Sequence, residues 1–149
     1  MSEVARRRIA ALLLLVGIVV AALAIADVGP FSDPPTEEEN VKATVEDFFD
    51  AAAHGDSKTF CALLTDEARQ DLRISTAQRL QTNELPECEK ILDALAAAFK
   101  GSSMTVRQVT VVGTRARVEG QYRTPGQGAR PRTVELVQVN GEWRVSDPG

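Results

Sequence analysis

At 149 residues, 44% of them apolar and 26% charged, the chain has the balance of a globular domain rather than of a disordered tail. Setting aside an apolar N-terminal run leaves about 120 residues, enough for one domain and too few for two. A net charge of −4 excludes a uniformly basic surface for nucleic acid, and one His with two Cys excludes most zinc sites.

Residues 9–26, IAALLLLVGIVVAALAIA, run without a charge. As a helix they would cover about 27 Å, near the lower limit for a hydrocarbon core. Arg6, Arg7 and Arg8 precede the run, whereas Asp27, Asp33, Glu37, Glu38 and Glu39 follow it. The positive-inside bias then makes residues 1–26 a cytoplasmic stub and a single-pass signal-anchor in the bacterial cytoplasmic membrane, with the domain outside. The alternative is a signal peptide: Ala24-Ile25-Ala26 is an A-x-A site, and cleavage after Ala26 would secrete the domain. Residues 27–35, rich in Pro and acidic groups, read as an extended linker of at most about 35 Å. The domain proper is expected over 36–149.

Thr36 through Glu39 matches a capping box, with acidic residues in the first turn where the helix dipole favours them. Val41, Val45, Phe48, Phe49 and Ala52 recur at helical spacing, and Gly55 closes the segment. His54, beside that end, reads as a solvated residue. A short second helix is expected from Ser57, burying Phe60, Cys61 and Leu64, and a third from Thr65 or Asp66 through Leu72. Residues 73–85 carry no clear period. Pro86 suits the first turn of a fourth helix, whose stripe is Cys88, Ile91, Leu92, Leu95 and Phe99, stopped by Gly101.

The period then changes from 3.6 to 2. Residues 104–112, 115–123, 132–139 and 142–146 read as four strands. Asn140-Gly141 predicts a type I′ hairpin that pairs Val139 with Glu142, Gln138 with Trp143 and Leu136 with Val145. Val134, Leu136, Gln138, Trp143 and Val145 then share one face. A weaker hairpin at Gly113-Thr114 would turn Val109, Val111, Ala116, Val118, Gly120 and Tyr122 inward, with Arg107 among them. Helices followed by an antiparallel meander make an α+β domain, the helices covering one face of a curved four-stranded sheet.

Cys61 and Cys88 both fall on apolar stripes of predicted helices, and an exported chain can keep them oxidised. A disulfide is expected, with two buried free thiols as the alternative. No metal-ligand set or cofactor motif is present, and no cofactor is expected.

The order of elements, with Ala53-His54-Gly55-Asp56 and Leu63-Leu64 early and Gly141-Glu142-Trp143-Arg144-Val145 closing, resembles the nuclear transport factor 2-like superfamily. More narrowly, it resembles small membrane-anchored or secreted actinobacterial members. The resemblance covers residues 36–147 and rests on scaffold features, so it bears on fold more than on function. It implies a cone whose mouth can take a small apolar ligand. Enzymatic relatives, the steroid isomerases and polyketide cyclases, line such a cone with acid–base groups. Here Glu119, Glu135 and Glu142 fall on the outer face, and Tyr122 is the one strong inward candidate; Asp47 or Asp50 would have to reach in from the first helix.

Two surfaces could bind. Arg107, Tyr122, Gln138 and Trp143 would form the polar part of an inner pocket, unless a β-bulge carries Arg107 outward and Gln138 lies at the sheet edge. On the outer face, Arg115, Arg117 and Arg144 lie with Val137 and Val139, and exposed β-branched residues there invite a second sheet. Charge is uneven as well: residues 27–100 hold 7 basic against 16 acidic side chains, and residues 101–149 hold 7 against 4. The expected function is a non-enzymatic, membrane-anchored interaction or accessory module of the cell envelope. Its partners would be the bilayer through residues 9–26 and a second copy through the outer sheet face, or an envelope protein, with no nucleic acid. A carrier or sensor of an apolar ligand ranks second, and a cyclase- or isomerase-like enzyme third.

Overall fold

A computed structural model describes residues 34–149. The anchor or signal segment and all but the last two residues of the linker, Pro34 and Pro35, lie outside the described residues. Within them no helix is long and apolar enough to cross a membrane.

Helix α1 spans Glu37–His54. Both bonds of its capping box form: the Glu39 amide donates to Thr36 Oγ1 at 3.2 Å, and the Thr36 amide donates to Glu39 Oε2 at 2.8 Å. Gly55, at φ +75°, ends the helix in the left-handed conformation that a side chain would resist. Replacing Thr36 by Ala is expected to cost about 1 kcal/mol in a denaturant melt.

Helix α2, Ser57–Leu63, is capped by Asp56, whose carboxylate accepts the Thr59 amide at 3.1 Å. The Thr59 side-chain bond first, then the backbone bond, hold the Asp56 carboxyl below the ordinary aspartate value. Because the folded value is the lower one, this cap supports the fold above the ordinary aspartate pKa and is lost as pH falls through the lowered one. An NMR titration should find the Asp56 midpoint below that of an exposed aspartate.

Helix α3 covers Asp66–Leu80, eight residues beyond the expected stop at Leu72. Its only fully buried residues are Ala68 and Ala77, too small to leave a stripe in the sequence. Helix α4 runs Cys88–Phe99, so Pro86 lies before it rather than in its first turn. The Pro86 carbonyl instead accepts Arg73 Nε at 2.8 Å, tying the α3–α4 loop back onto α3. Ile91 and Leu92 are buried as expected, whereas Leu95 is exposed and Phe99 half-buried.

The strands are β1, Ser103–Val112, β2, Arg115–Arg123, β3, Arg130–Val139, and β4, Glu142–Asp147. They form one antiparallel sheet in the order β1-β2-β3-β4. Asn140 and Gly141 both take positive φ, 53° and 84°, as a type I′ turn requires. The register is the one read from that turn: Val139 opposite Glu142, Gln138 opposite Trp143, Leu136 opposite Val145. Beyond it, β4 carries a bulge that brings Asp147 rather than Ser146 opposite Glu135. The outer edge of β4 is partly covered, because Leu64 bridges to Val145 and the Thr65 amide donates to its carbonyl at 2.9 Å.

Helices and inner sheet face enclose a core of Val41, Val45, Phe48, Phe49, Phe60, Leu64, Val118, Val134, Leu136, Trp143 and Val145. Phe48 stacks on Phe60 with centroids 4.6 Å apart and meets Phe49 edge-on at 5.2 Å. Gly120 is where β1 and β2 approach most tightly: a Cβ there would lie 2.5 Å from the Thr105 carbonyl oxygen and from Met104 Cε. Gly120→Ala should therefore part the strand pair, with an expected loss of about 2 kcal/mol in thermal unfolding.

Candidate functional site

The four residues expected to form an inner pocket do not converge. A bulge between Val106 and Gln108 leaves Arg107 as the extra residue, and it is exposed while Val106 and Val109 on either side are half-buried. Sequence alternation assigned Arg107 the inward parity of Val109; the bulge shifts that parity by one. Tyr122 pairs with Arg130 at one end of β3, and Gln138 lies eight residues along the same strand, about 27 Å away. Gln138 is half-buried at the hairpin end, where its side-chain amide donates to the Gly141 carbonyl at 3.5 Å. Trp143 is buried and its indole Nε1 donates to Glu37 Oε2 at 2.7 Å, fastening β4 to the first turn of α1. That bond is structural: it satisfies the one polar atom of a core tryptophan.

The inner end near Tyr122 is filled. Its ring lies 5.4 Å from that of Phe49, tilted by 45°, and the Arg132 guanidinium sits 5.2 Å from its centroid. Among the described residues the only buried polar residues are Thr65 and Ser102, and no buried side-chain nitrogen or oxygen lacks a partner. Thr65 Oγ1 caps α3 through the Ala68 amide, and Ser102 Oγ donates to the Phe99 carbonyl. Asp47 and Asp50 are exposed on α1 and do not reach the core. His54 is exposed too, its Nδ1 2.9 Å from the Asp50 carbonyl and 3.2 Å from the Asp50 carboxylate.

Cys61 and Cys88 are joined, with Cα atoms 6.1 Å apart. Beside the bridge lies a surface cleft of about 380 Å³ that includes Asp66, Arg69, Arg73 and Glu87. Arg69 pairs with Asp66, and Arg73 is spent on the Pro86 carbonyl.

On the outer sheet face Arg115 lies opposite Val137, which in turn lies opposite Arg144. Arg117 binds Glu119 at 3.3 Å and Glu135 at 3.8 Å. Arg144 bonds Glu142 and reaches round the β4 edge to the Ala62 carbonyl, so its charge is turned from the open face. Between these lies a shallow cleft of about 510 Å³ lined by Val112, Arg115, Arg117, Glu135 and Val137. Val112 is 73% exposed and Val139 42%. Val112 is an outward apolar residue that the sequence reading did not single out, although its position before the Gly113 turn gives it the parity of Thr110.

The family model described as a SnoaL-like domain matches residues 45–148. An NTF2-like protein of unknown function from Shewanella baltica superposes with a TM-score of 0.50 at 13% identity, over 75% of this chain and 92% of that one. A chain named Rd1NTF2_05, carrying five substitutions, gives 0.51 at 16% identity over 74% and 96%. A protein of unknown function with a cystatin-like fold from Nostoc punctiforme gives 0.49 at 11% identity over 74% and 87%. None of the curated proteins matches the chain. These likenesses concern the fold.

Proposed function

The chain belongs to the SnoaL-like domain family of the NTF2-like superfamily, and from that premise we propose that it is a non-catalytic binding domain of the cell envelope. Residues 9–26 hold it at the cytoplasmic membrane, and the outer sheet face docks a second copy of the chain. The observation that carries this reading is the contrast between the two faces of the sheet. The inner face is packed with aromatic and aliphatic side chains, and among the described residues no carboxylate or imidazole is buried in the core, where the acid–base chemistry of enzymatic relatives would need one. The outer face leaves Val112 and Val139 uncovered among charges of both signs. Arg115 and Arg117 beside Glu119, Glu135 and Glu142 are self-complementary, as a two-fold interface requires. The Cys61–Cys88 bridge supports an oxidising compartment outside the cytoplasm.

Sedimentation of the exported domain tests the docking face. A dimer is expected at tens of micromolar, and Val112→Asp with Val139→Asp should return it to a monomer while leaving the melting temperature within about 2 °C, because both positions are exposed. A wild-type monomer at about 100 μM would overturn the homodimer and leave the face to an envelope partner.

A further inference from the structure

The two edges of the sheet differ. The β4 edge is met by Leu64 and by the Thr65 amide, whereas β1, at the opposite edge, makes ladder bonds to β2 alone among the described residues. β1 is also ten residues long, against six for β4. Sheets normally keep a free edge short, charged or interrupted, because its unpaired amides and carbonyls are a template for another strand.

On β1 those safeguards stop at Arg107. There the bulge between Val106 and Gln108 interrupts the strand, and an exposed charge stands on it. From Gln108 to Val112 the edge reads Gln-Val-Thr-Val-Val, with no charge, no proline and no further bulge. Which of its backbone groups are free follows from the ladder. The Thr114 carbonyl accepts the Gln138 amide, so Thr114 is turned toward β3 and its neighbour Arg115 toward β1. Val112 with Arg115, Thr110 with Arg117 and Gln108 with Glu119 are then the hydrogen-bonded pairs. Val109 and Val111 point their amides and carbonyls away from the sheet, where no backbone group among the described residues meets them.

We propose that this edge pairs antiparallel with the same edge of a second copy, about a two-fold axis beside Thr110, and so continues the sheet across two molecules. The register is the one in which the free groups match. Val109 of each copy lies opposite Val111 of the other and exchanges both ladder bonds with it. Thr110 faces its equivalent in the closely spaced, unbonded position between them. Gln108 falls opposite Val112, and Arg107 opposite Gly113, so no like charges meet. The half-buried side chains of Val109 and Val111, at the margin of the core, cover one another. The bulge at one end and the Gly113 turn at the other confine the pairing to Gln108–Val112. A segment this short buries less than a stable interface needs, so the contact is weak in solution. It goes beyond the outer-face docking proposed above, because a chain with both a face contact and an edge contact can link one dimer to the next.

Amide exchange of the domain, followed residue by residue at about 20 μM and about 1 mM, tests it. The Val109 and Val111 amides should exchange about threefold or more slowly at the higher concentration, while Gln108, Thr110 and Val112, already bonded to β2, stay unchanged. Val111→Pro removes an outward donor at a position where an edge strand tolerates proline, and should abolish the concentration dependence at Val109. The dimer expected by sedimentation at tens of micromolar belongs to the outer face and should persist in that variant, so the two contacts fail separately. Exchange at Val109 and Val111 that is the same at both concentrations, or a Val109 effect that Val111→Pro leaves intact, would overturn the edge pairing. Full protection of both amides in a domain that sediments as a monomer would overturn it too, because a segment of the same chain would then cover the edge.

Discussion

Removal of the Cys61–Cys88 bridge is expected to cost about 3–4 kcal/mol of folding stability. The bridge closes a 27-residue separation between α2 and the first residue of α4. On the chain-entropy account, freeing a loop of that length lets the unfolded ensemble gain conformations that the oxidised chain lacks. The structure adds a reason for the loss to concentrate locally. Everything between the two cysteines after Leu64 and Thr65 is α3 and its loop, and α3 buries only Ala68 and Ala77 completely. Without the bridge, that segment rests on the core through Ala68 and Leu72, because the Arg73 bonds to Leu85 and Pro86 lie within the segment itself. Urea unfolding of the Cys61→Ala, Cys88→Ala double variant against the oxidised protein checks the magnitude. A melting temperature lower by about 10–20 °C should accompany it. Amide exchange should speed up most over residues 66–87. A fall below about 3 °C, or uniform acceleration along the chain, would mean that the bridge decorates a fold already fixed by its core.

How much of this was legible in the sequence depended on whether a feature leaves a periodic trace. The α1 cap, the Asn140-Gly141 turn and the β3–β4 register follow from local chemistry, and each has a one-to-one geometric consequence. Helix α3 beyond Leu72 was missed because its buried contacts are alanines amid polar residues, so no amphipathic stripe marks it. The β-bulge weighed as the alternative is what carries Arg107 outward, although it adds one residue without changing composition; Val-Arg-Gln-Val reads the same with or without it. The inner pocket failed for a different reason. Face parity tells which side a residue points to, but not how far along the strand it lies, and Tyr122 and Gln138 share a side at opposite ends. The start of β3 was within reach: extending the strand back to Arg130 would have set two arginines in phase with Val134. The TPGQGARP loop signal drew the strand start two residues too late.

Opening the space between Phe49 and Tyr122 should turn a filled core into a ligand cavity, with the second large energetic effect in the molecule. Phe49 is buried, meets Phe48 edge-on and lies 5.4 Å from the Tyr122 ring, so its side chain fills the inner end where a cone mouth would otherwise be. Phe49→Ala is expected to cost about 3–5 kcal/mol, from lost transfer free energy and from the void left behind. That is a large part of the 5–15 kcal/mol typical of a domain, so Phe49→Leu, at about 1–1.5 kcal/mol, gives a milder variant that should stay folded. Phe48 and the Tyr122 ring would wall the new space and receive a small aromatic molecule, and the polar surface cleft that Phe49 lines with Asp50 and Ser102 would give it an entry. Benzene should therefore raise the melting temperature of Phe49→Ala and leave that of the wild type unchanged. The comparison also weighs two functions of the same scaffold. A binding domain that works through its outer surface has use for a solid interior. A carrier must hold its interior open, so a wild type stabilised by benzene as strongly as the variant would transfer the function from the sheet's outer face to its inner one.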